Sequence, residues 1–175
     1  MTGAVTEQPT RPRVVLVGVM GAGKTTVAQR LGQAWDLPVR DTDSDVEAHE
    51  GCSIQELFVE KGEAHFRALE EELVAAALTE HEGVLALGGG AVLSERTRAR
   101  LAGHQVVFLR VGLADAVKRV GLGVGRPLLL GNVRARLKAL LDERAPIYES
   151  VATLVVDTDG RSPDEVAEEI LGRWT

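Results

Sequence analysis

A glycine-rich turn closed by Lys-Thr constrains this chain more than any other feature. Gly18 to Thr25 reads GVMGAGKT and satisfies G-x-x-x-x-G-K-[ST] without a mismatch. Before it stands an apolar, β-branched run, RVVLVG from Arg13 to Gly18. After it, Lys24 to Trp35 places Val27, Leu31 and Ala34 near helical spacing. Strand, loop and helix in that order form a phosphate cradle. Glycines let the backbone curl with its N–H groups inward, and the helix offers its positive end. Gly21, Ala22, Gly23, Lys24, Thr25 and Thr26 are the expected nucleotide contacts, with Lys24 reaching the outer phosphates and the Thr25 hydroxyl ligating Mg2+. The competing reading, a glycine turn that happens to carry Lys-Thr, is disfavoured by the flanking pattern. ATP and GTP both fit so far.

The remaining pattern alternates strands with helices. Strands are predicted at Leu37 to Asp41, Val84 to Leu87, Gln105 to Leu109 and Thr153 to Asp157. Ser53-x-x-Glu56 has the form of a capping box opening a helix to about Lys61, and Gly62 separates it from a longer helix over 63–80. Further helices are expected over 95–102, 113–120 and 133–148, the last despite Pro146. Ser162-Pro163-Asp164-Glu165 opens a final one. Such alternation gives a five-stranded parallel sheet with helices on both faces, an α/β three-layer sandwich of P-loop NTPase type. Residues 121–132, glycine-punctuated and without a period, read as a mobile lid. The chain has 175 residues, enough for one domain over 11–175 behind a flexible tail of 1–10. The tail has neither a secretory core nor an arginine-rich targeting helix.

Composition excludes several function classes. A formal net charge of −6 opposes a broad nucleic-acid or anionic-membrane surface, and no apolar run reaches membrane-spanning length. Cys52 is the only cysteine, so an internal disulfide is impossible and a reducing cytoplasm fits. The four histidines fall at no metal-ligand spacing.

Three further features concern an acceptor. Asp41-Thr42-Asp43 follows the second strand, where carboxyl ends of parallel strands face the ligand crevice. One acid can hold the water shell of Mg2+ while the other orients or deprotonates an attacking hydroxyl. A solvated acidic turn or a helix cap is the ordinary alternative. Gly88-Gly89-Gly90 follows the third strand and clears the edge of side chains, allowing close backbone approach. Arg67, Arg126 and Arg144 could hold an anionic small molecule in a forked grip, although spacing alone does not separate them from the other arginines.

Taken in order, GVMGAGKTT (18–26), DTD (41–43), GEAHFR (62–67), LGGGAV (87–92), RPLL (126–129) and ERAPIYESVA (143–152) resemble the shikimate kinase family. The resemblance spans nearly the whole chain from Arg13. It implies a nucleoside monophosphate kinase-like fold and transfer of the γ-phosphoryl group of ATP to the 3-hydroxyl of shikimate. Asp43 would bind the reacting hydroxyl as candidate base. Arg67 and Arg144 would clamp the shikimate carboxylate, with Gly89 and Gly90 lining that pocket. Arg126 would neutralise the transferring phosphoryl group, Asp41 would hold water on the Mg2+ that Thr25 ligates, and Arg119 and Arg161 would flank the adenine. Residues 41–70 become the acceptor-binding region. Ala86, where similar chains often carry Ser or Thr, removes one outer-sphere contact to the metal's water. The implied partners are shikimate and ATP, with no nucleic acid or membrane, for a monomer. The alternatives are a related P-loop kinase acting on gluconate or a nucleoside monophosphate, and a non-catalytic nucleotide-binding regulator. Against the regulator, no Asn/Thr-Lys-x-Asp guanine-reading signature occurs and no mechanistic residue is missing.

Overall fold

The glycine loop is anchored by the most deeply buried strand of the chain. β1 (Val14–Val17) is four consecutive buried aliphatic residues, as a strand covered on both faces requires. The computed structural model describes residues 10–124 and 130–174, side chains between 120 and 133 excepted. β1 pairs in parallel with β3 (Val84–Ala86) on one side and β4 (Val106–Arg110) on the other. β2 (Val39–Asp41) and β5 (Leu154–Asp157) complete a five-stranded parallel sheet in the order β2-β3-β1-β4-β5. Strand order reverses on either side of β1, so its carboxyl end opens a crevice toward β3.

α1 covers Lys24–Trp35, the span the apolar spacing predicts, and stops at Asp36 in a left-handed conformation (φ 52°). The sequence pattern does not announce α2 (Thr42–Glu50). Only Thr42 and Val46 of it are buried, so it shows no apolar stripe, and the Asp41 carboxylate starts it by accepting from the N–H groups of Asp43 and Ser44. α3 (Ile54–Glu80) begins at Ser53, whose hydroxyl accepts from the Glu56 N–H, and its regular geometry breaks at Gly62 (φ 84°, ψ 168°). Two helical segments thus meet at a kink at Gly62, the residue expected to separate them.

A small apolar cluster of Val46, Leu57, Phe66 and Leu69 joins α2 to α3. At its edge Glu50 bonds His65 and Lys61, both at 2.9 Å, and these hydrogen bonds hold its carboxyl down at about 2. This separate cluster joins α2 to the earlier part of α3, while Val74, Ala77 and Leu78 further along α3 belong to the main core.

After β3 come a 3-10 turn (Ala91–Leu93) and α4 (Glu95–Leu101). α5 (Leu113–Val124) runs further than predicted and α6 (Leu130–Val151) starts earlier, so helix replaces both ends of the expected 121–132 lid; residues 125–129 lie outside the described residues. Pro146 stands inside α6. α7 (Pro163–Arg173) opens with a full capping box: Ser162 accepts from the Glu165 N–H and the Glu165 carboxylate accepts from the Ser162 N–H, both at 3.2 Å. Ser162→Ala is expected to destabilise the fold by about 1 kcal/mol, the usual cost of losing such a cap. In a domain of this size that lowers Tm by roughly 2–4 °C. An unchanged melting temperature in a thermal scan would show that the cap contributes nothing.

Candidate active site

Four elements meet at the carboxyl end of β1. The loop from Gly18 to Gly23 turns with φ 85° at Gly21 and 91° at Gly23, left-handed conformations that a side chain would strain. α1 starts directly behind it, so the unpaired N–H groups of its first turn face the crevice. The Lys24 ammonium folds back onto the carbonyls of Gly18 (2.7 Å) and Val19 (2.9 Å). Burial pushes its pKa down to about 8, against the opposing pull of Asp43 and Asp41; the nearby Arg144 pushes the same way as burial. A cavity of about 280 Å3 opens here, lined by Lys24, Thr25, Asp41 and Asp43 among others.

The acids stand as the second strand's end dictates. One oxygen of Asp41 caps α2, and the other accepts from the Thr25 hydroxyl at 3.4 Å. Asp41 is thus both the helix cap and a wall of the phosphate cavity. Asp43, in the first turn of α2, has its pKa raised by burial first and then by the charge of Asp41, with Lys24 pulling it back. Ala86 pairs in register with Asp41 and brings no polar group to this corner.

The residues expected to meet an acceptor gather at the triple glycine. A methyl group placed on Gly88 would lie 3.0 Å from Asp43 Cγ and 3.0 Å from a Glu70 carboxylate oxygen. One on Gly90 would lie 2.6 Å from the Arg67 guanidinium carbon. One on Gly89 would come within 3.5 Å of Arg144 Nη1 and 3.6 Å of the Gly18 carbonyl oxygen. None of the three has a positive φ. They are glycines for room, with functional groups pressed against backbone that carries no side chain. Asp43, Arg67, Gly89, Gly90 and Arg144 therefore share one site with Lys24.

On the far side of the loop a cavity of about 200 Å3 is lined by Gly21, Ala22, Gly23, Thr26, Arg119, Arg161 and Pro163 among others. Arg119 donates to the Gly21 carbonyl (3.0 Å) and the Thr158 carbonyl (3.2 Å). Arg161 is held by the carbonyls of Asp157 and Glu165 and by Glu169. Arg126 lies outside the described residues.

Two residues at this site escape sequence reasoning. Glu70 is only 3% exposed and bonds Arg67 at 2.9 Å. Burial raises its pKa, while the hydrogen bond from Arg67 lowers it. An Arg–Glu pair three residues apart on a helix is ordinarily a surface pair. Within the run Glu70-Glu71-Glu72, nothing marks the first acid as buried. Tyr148, fully buried on α6, donates its hydroxyl to the Gly89 carbonyl. Its signal is only that a buried tyrosine needs a partner for its hydroxyl.

A phosphate loop at the switch point of a parallel sheet, beside a buried acid and two arginines, defines a P-loop kinase of the small-molecule class. A family model described as shikimate kinase matches residues 20–175. The chain is 61% identical over 159 residues to a shikimate kinase of Salinispora arenicola, covering 91% of this chain and 95% of that protein. It is 59% identical over 158 residues to one of Thermobifida fusca, covering 90% and 92%. Among solved structures, the shikimate kinase of Acinetobacter baumannii in complex with shikimate superposes with a TM-score of 0.84 at 32% identity, covering 94% of this chain and 92% of that one. The chain belongs to the shikimate kinase family.

The depressed pKa of Lys24 has a measurable consequence. ATP phosphates favour the charged ammonium, so the free enzyme binds ATP well below pH 8 and progressively less well as Lys24 loses its proton above it. The KM for ATP is expected to climb between pH 7.5 and 9.5, approaching about tenfold per unit at the alkaline end. A flat profile across that range would contradict the assignment of Lys24 to the phosphates.

Proposed function

We propose that this chain transfers the γ-phosphoryl group of ATP to the 3-hydroxyl of shikimate, a step toward chorismate and the aromatic amino acids. The observation that carries this reading is the gathering of Asp43, Arg67 and Arg144 around Gly88–Gly90, next to the Lys24 loop. An acid beside two arginines suits an acceptor that is both an alcohol and a carboxylate. Arg67, steadied by Glu70, and Arg144 grip the carboxylate, while Gly89 and Gly90 let the ring approach the backbone.

Asp43 accepts the hydrogen bond of the reacting hydroxyl. As the oxygen bonds to the γ-phosphorus, the bond from that phosphorus to the β,γ-bridging oxygen breaks, ADP leaves, and the proton passes to the Asp43 carboxylate. Burial, by raising the basicity of Asp43, favours that proton transfer. Lys24 neutralises charge on the outer phosphates. Arg126 does the same from a position assigned by the RPLL resemblance alone.

Thr25 and Asp41 place two hard oxygen donors 3.4 Å apart at the phosphate cavity, a set that fits Mg2+, which takes few protein ligands and keeps its waters. Held by these residues, Mg2+ would supply positive charge to the ATP phosphates. Arg119 and Arg161 flank the adenine, residues 41–70 form the acceptor-binding region, and 121–132 form the lid. The assembly proposed is a monomer. No helix among the described residues is long and apolar enough to cross a membrane; the proposed location, from the lone cysteine and the family, is the cytoplasm.

The test is ADP release from ATP-Mg2+ with shikimate, gluconate, AMP or CMP as acceptor. Turnover is expected with shikimate alone, and turnover with gluconate or a nucleotide instead would overturn the reading. Asp43→Asn is expected to lower kcat by about 10²- to 10⁴-fold. Arg67→Ala is expected to weaken the acceptor by about 2–4 kcal/mol without raising the KM for ATP. A rise in the ATP KM alone would remove Arg67 from the carboxylate grip.

A further inference from the structure

Tyr148 is the only tyrosine of the chain and sits one helical turn beyond Arg144 on α6. Its ring packs against Phe108 of β4 with centroids 5.0 Å apart, and its side chain is 1% exposed. From there its hydroxyl donates to the carbonyl of Gly89. The neighbouring carbonyls are pinned otherwise: Gly88 accepts from the Ala91 N–H (3.0 Å) and Gly90 from the Leu93 N–H (3.1 Å). Among the described residues, Tyr148 provides the hydrogen bond recorded on the Gly89 carbonyl.

That bond governs a peptide plane. In a trans peptide the carbonyl and the following N–H point in opposite directions, so fixing the Gly89 carbonyl toward Tyr148 turns the Gly90 N–H away from it. A plane between two glycines meets little steric resistance to rotation and needs an external hold to keep one orientation. The phenol is such a hold, and its own helix carries Arg144 beside the same loop.

We propose that Tyr148 is a positioning residue for the acceptor: by fixing the Gly89–Gly90 peptide and tying it to α6, it presents the Gly90 N–H and the Arg144 guanidinium to the acceptor's carboxylate as one preset unit. This rests on the assignment of the triple-glycine pocket to shikimate. The environment agrees with a hydroxyl kept as a donor. Burial pushes the phenol's pKa up, and the lowering influence of Arg144 and Arg67 is the lesser effect, with Glu70 adding to the rise. Arg144 stands on the same helix as Tyr148, Arg67 and Glu70 face it from α3, and the backbone of Gly89 completes the surroundings.

Tyr148→Phe removes only the hydroxyl and keeps the ring on Phe108. The KM for shikimate is expected to rise about five- to tenfold, the equivalent of one lost hydrogen bond, while the KM for ATP stays within about twofold. An unchanged KM for shikimate, or an equal rise for ATP, would overturn the proposal, because a purely structural role moves stability or both substrates together. Should the variant not fold, wild-type protein labelled with 3-fluorotyrosine gives a single fluorine resonance. That resonance is expected to shift on saturation with shikimate, and its failure to move would equally overturn the proposal. Unlabelled wild-type enzyme is assayed alongside. If it does not phosphorylate shikimate, the functional reading fails; if it does and Tyr148→Phe matches it, only the role of Tyr148 fails.

Discussion

The site depends on backbone left bare at Gly88–Gly90. Around these residues Asp43 and Glu70, Arg67, and Arg144 approach to distances at which a single added carbon would collide with the first three groups and touch the fourth. The glycines adopt no left-handed geometry, so the requirement is space alone. Each neighbour comes from a different part of the chain: α2 gives Asp43, α3 gives Arg67 and Glu70, and α6 gives Arg144. The parallel sheet makes the meeting possible, since β3 lies between β1 and β2 and delivers its loop between the phosphate cradle and the acids.

Charge is arranged against burial throughout this region. Lys24 is desolvated enough to fall to about 8, and the acids Asp43 and Asp41 offset part of that penalty. Glu70 is buried and would be costly as a lone carboxylate, but Arg67 donates to it at 2.9 Å. A chain of net charge −6 thus concentrates a few cations at one edge of its candidate site and balances them with buried acids, an arrangement suited to anionic ligands. The balance also sets the geometry, because the guanidinium that binds Glu70 is oriented before any acceptor arrives.

Much of this was legible in the sequence, for identifiable reasons. The phosphate loop and α1 follow from a dense local code, in which glycines, Lys-Thr and a helical stripe lie within eighteen residues, Gly18 to Trp35. Four of the five strands follow from apolar runs, β2 being only Val-Arg-Asp and partly exposed, and the cap at Ser162 follows from its four-residue signature. α2 was not legible because a helix that buries only two residues leaves no periodic trace, and the acid that starts it, Asp41, reads equally well as a turn or a metal group. The helical ends of the 121–132 stretch were hidden by glycines that lower helix propensity without forbidding helix. Glu70 and Tyr148 were invisible for another reason: their importance lies in contacts with Arg67 and with the Gly89 carbonyl, 59 positions from Tyr148, which no local pattern encodes.

If bare backbone at the third strand's end is what holds the acceptor groups in place, Gly90→Ala is the direct probe. The added methyl meets the tip of Arg67, a long side chain that can swing aside, so the protein should still fold while the guanidinium leaves its place. Calorimetric titration of that variant should show shikimate binding weakened by about tenfold or more and ATP binding within about twofold of wild type. Shikimate binding at full wild-type strength would contradict the account.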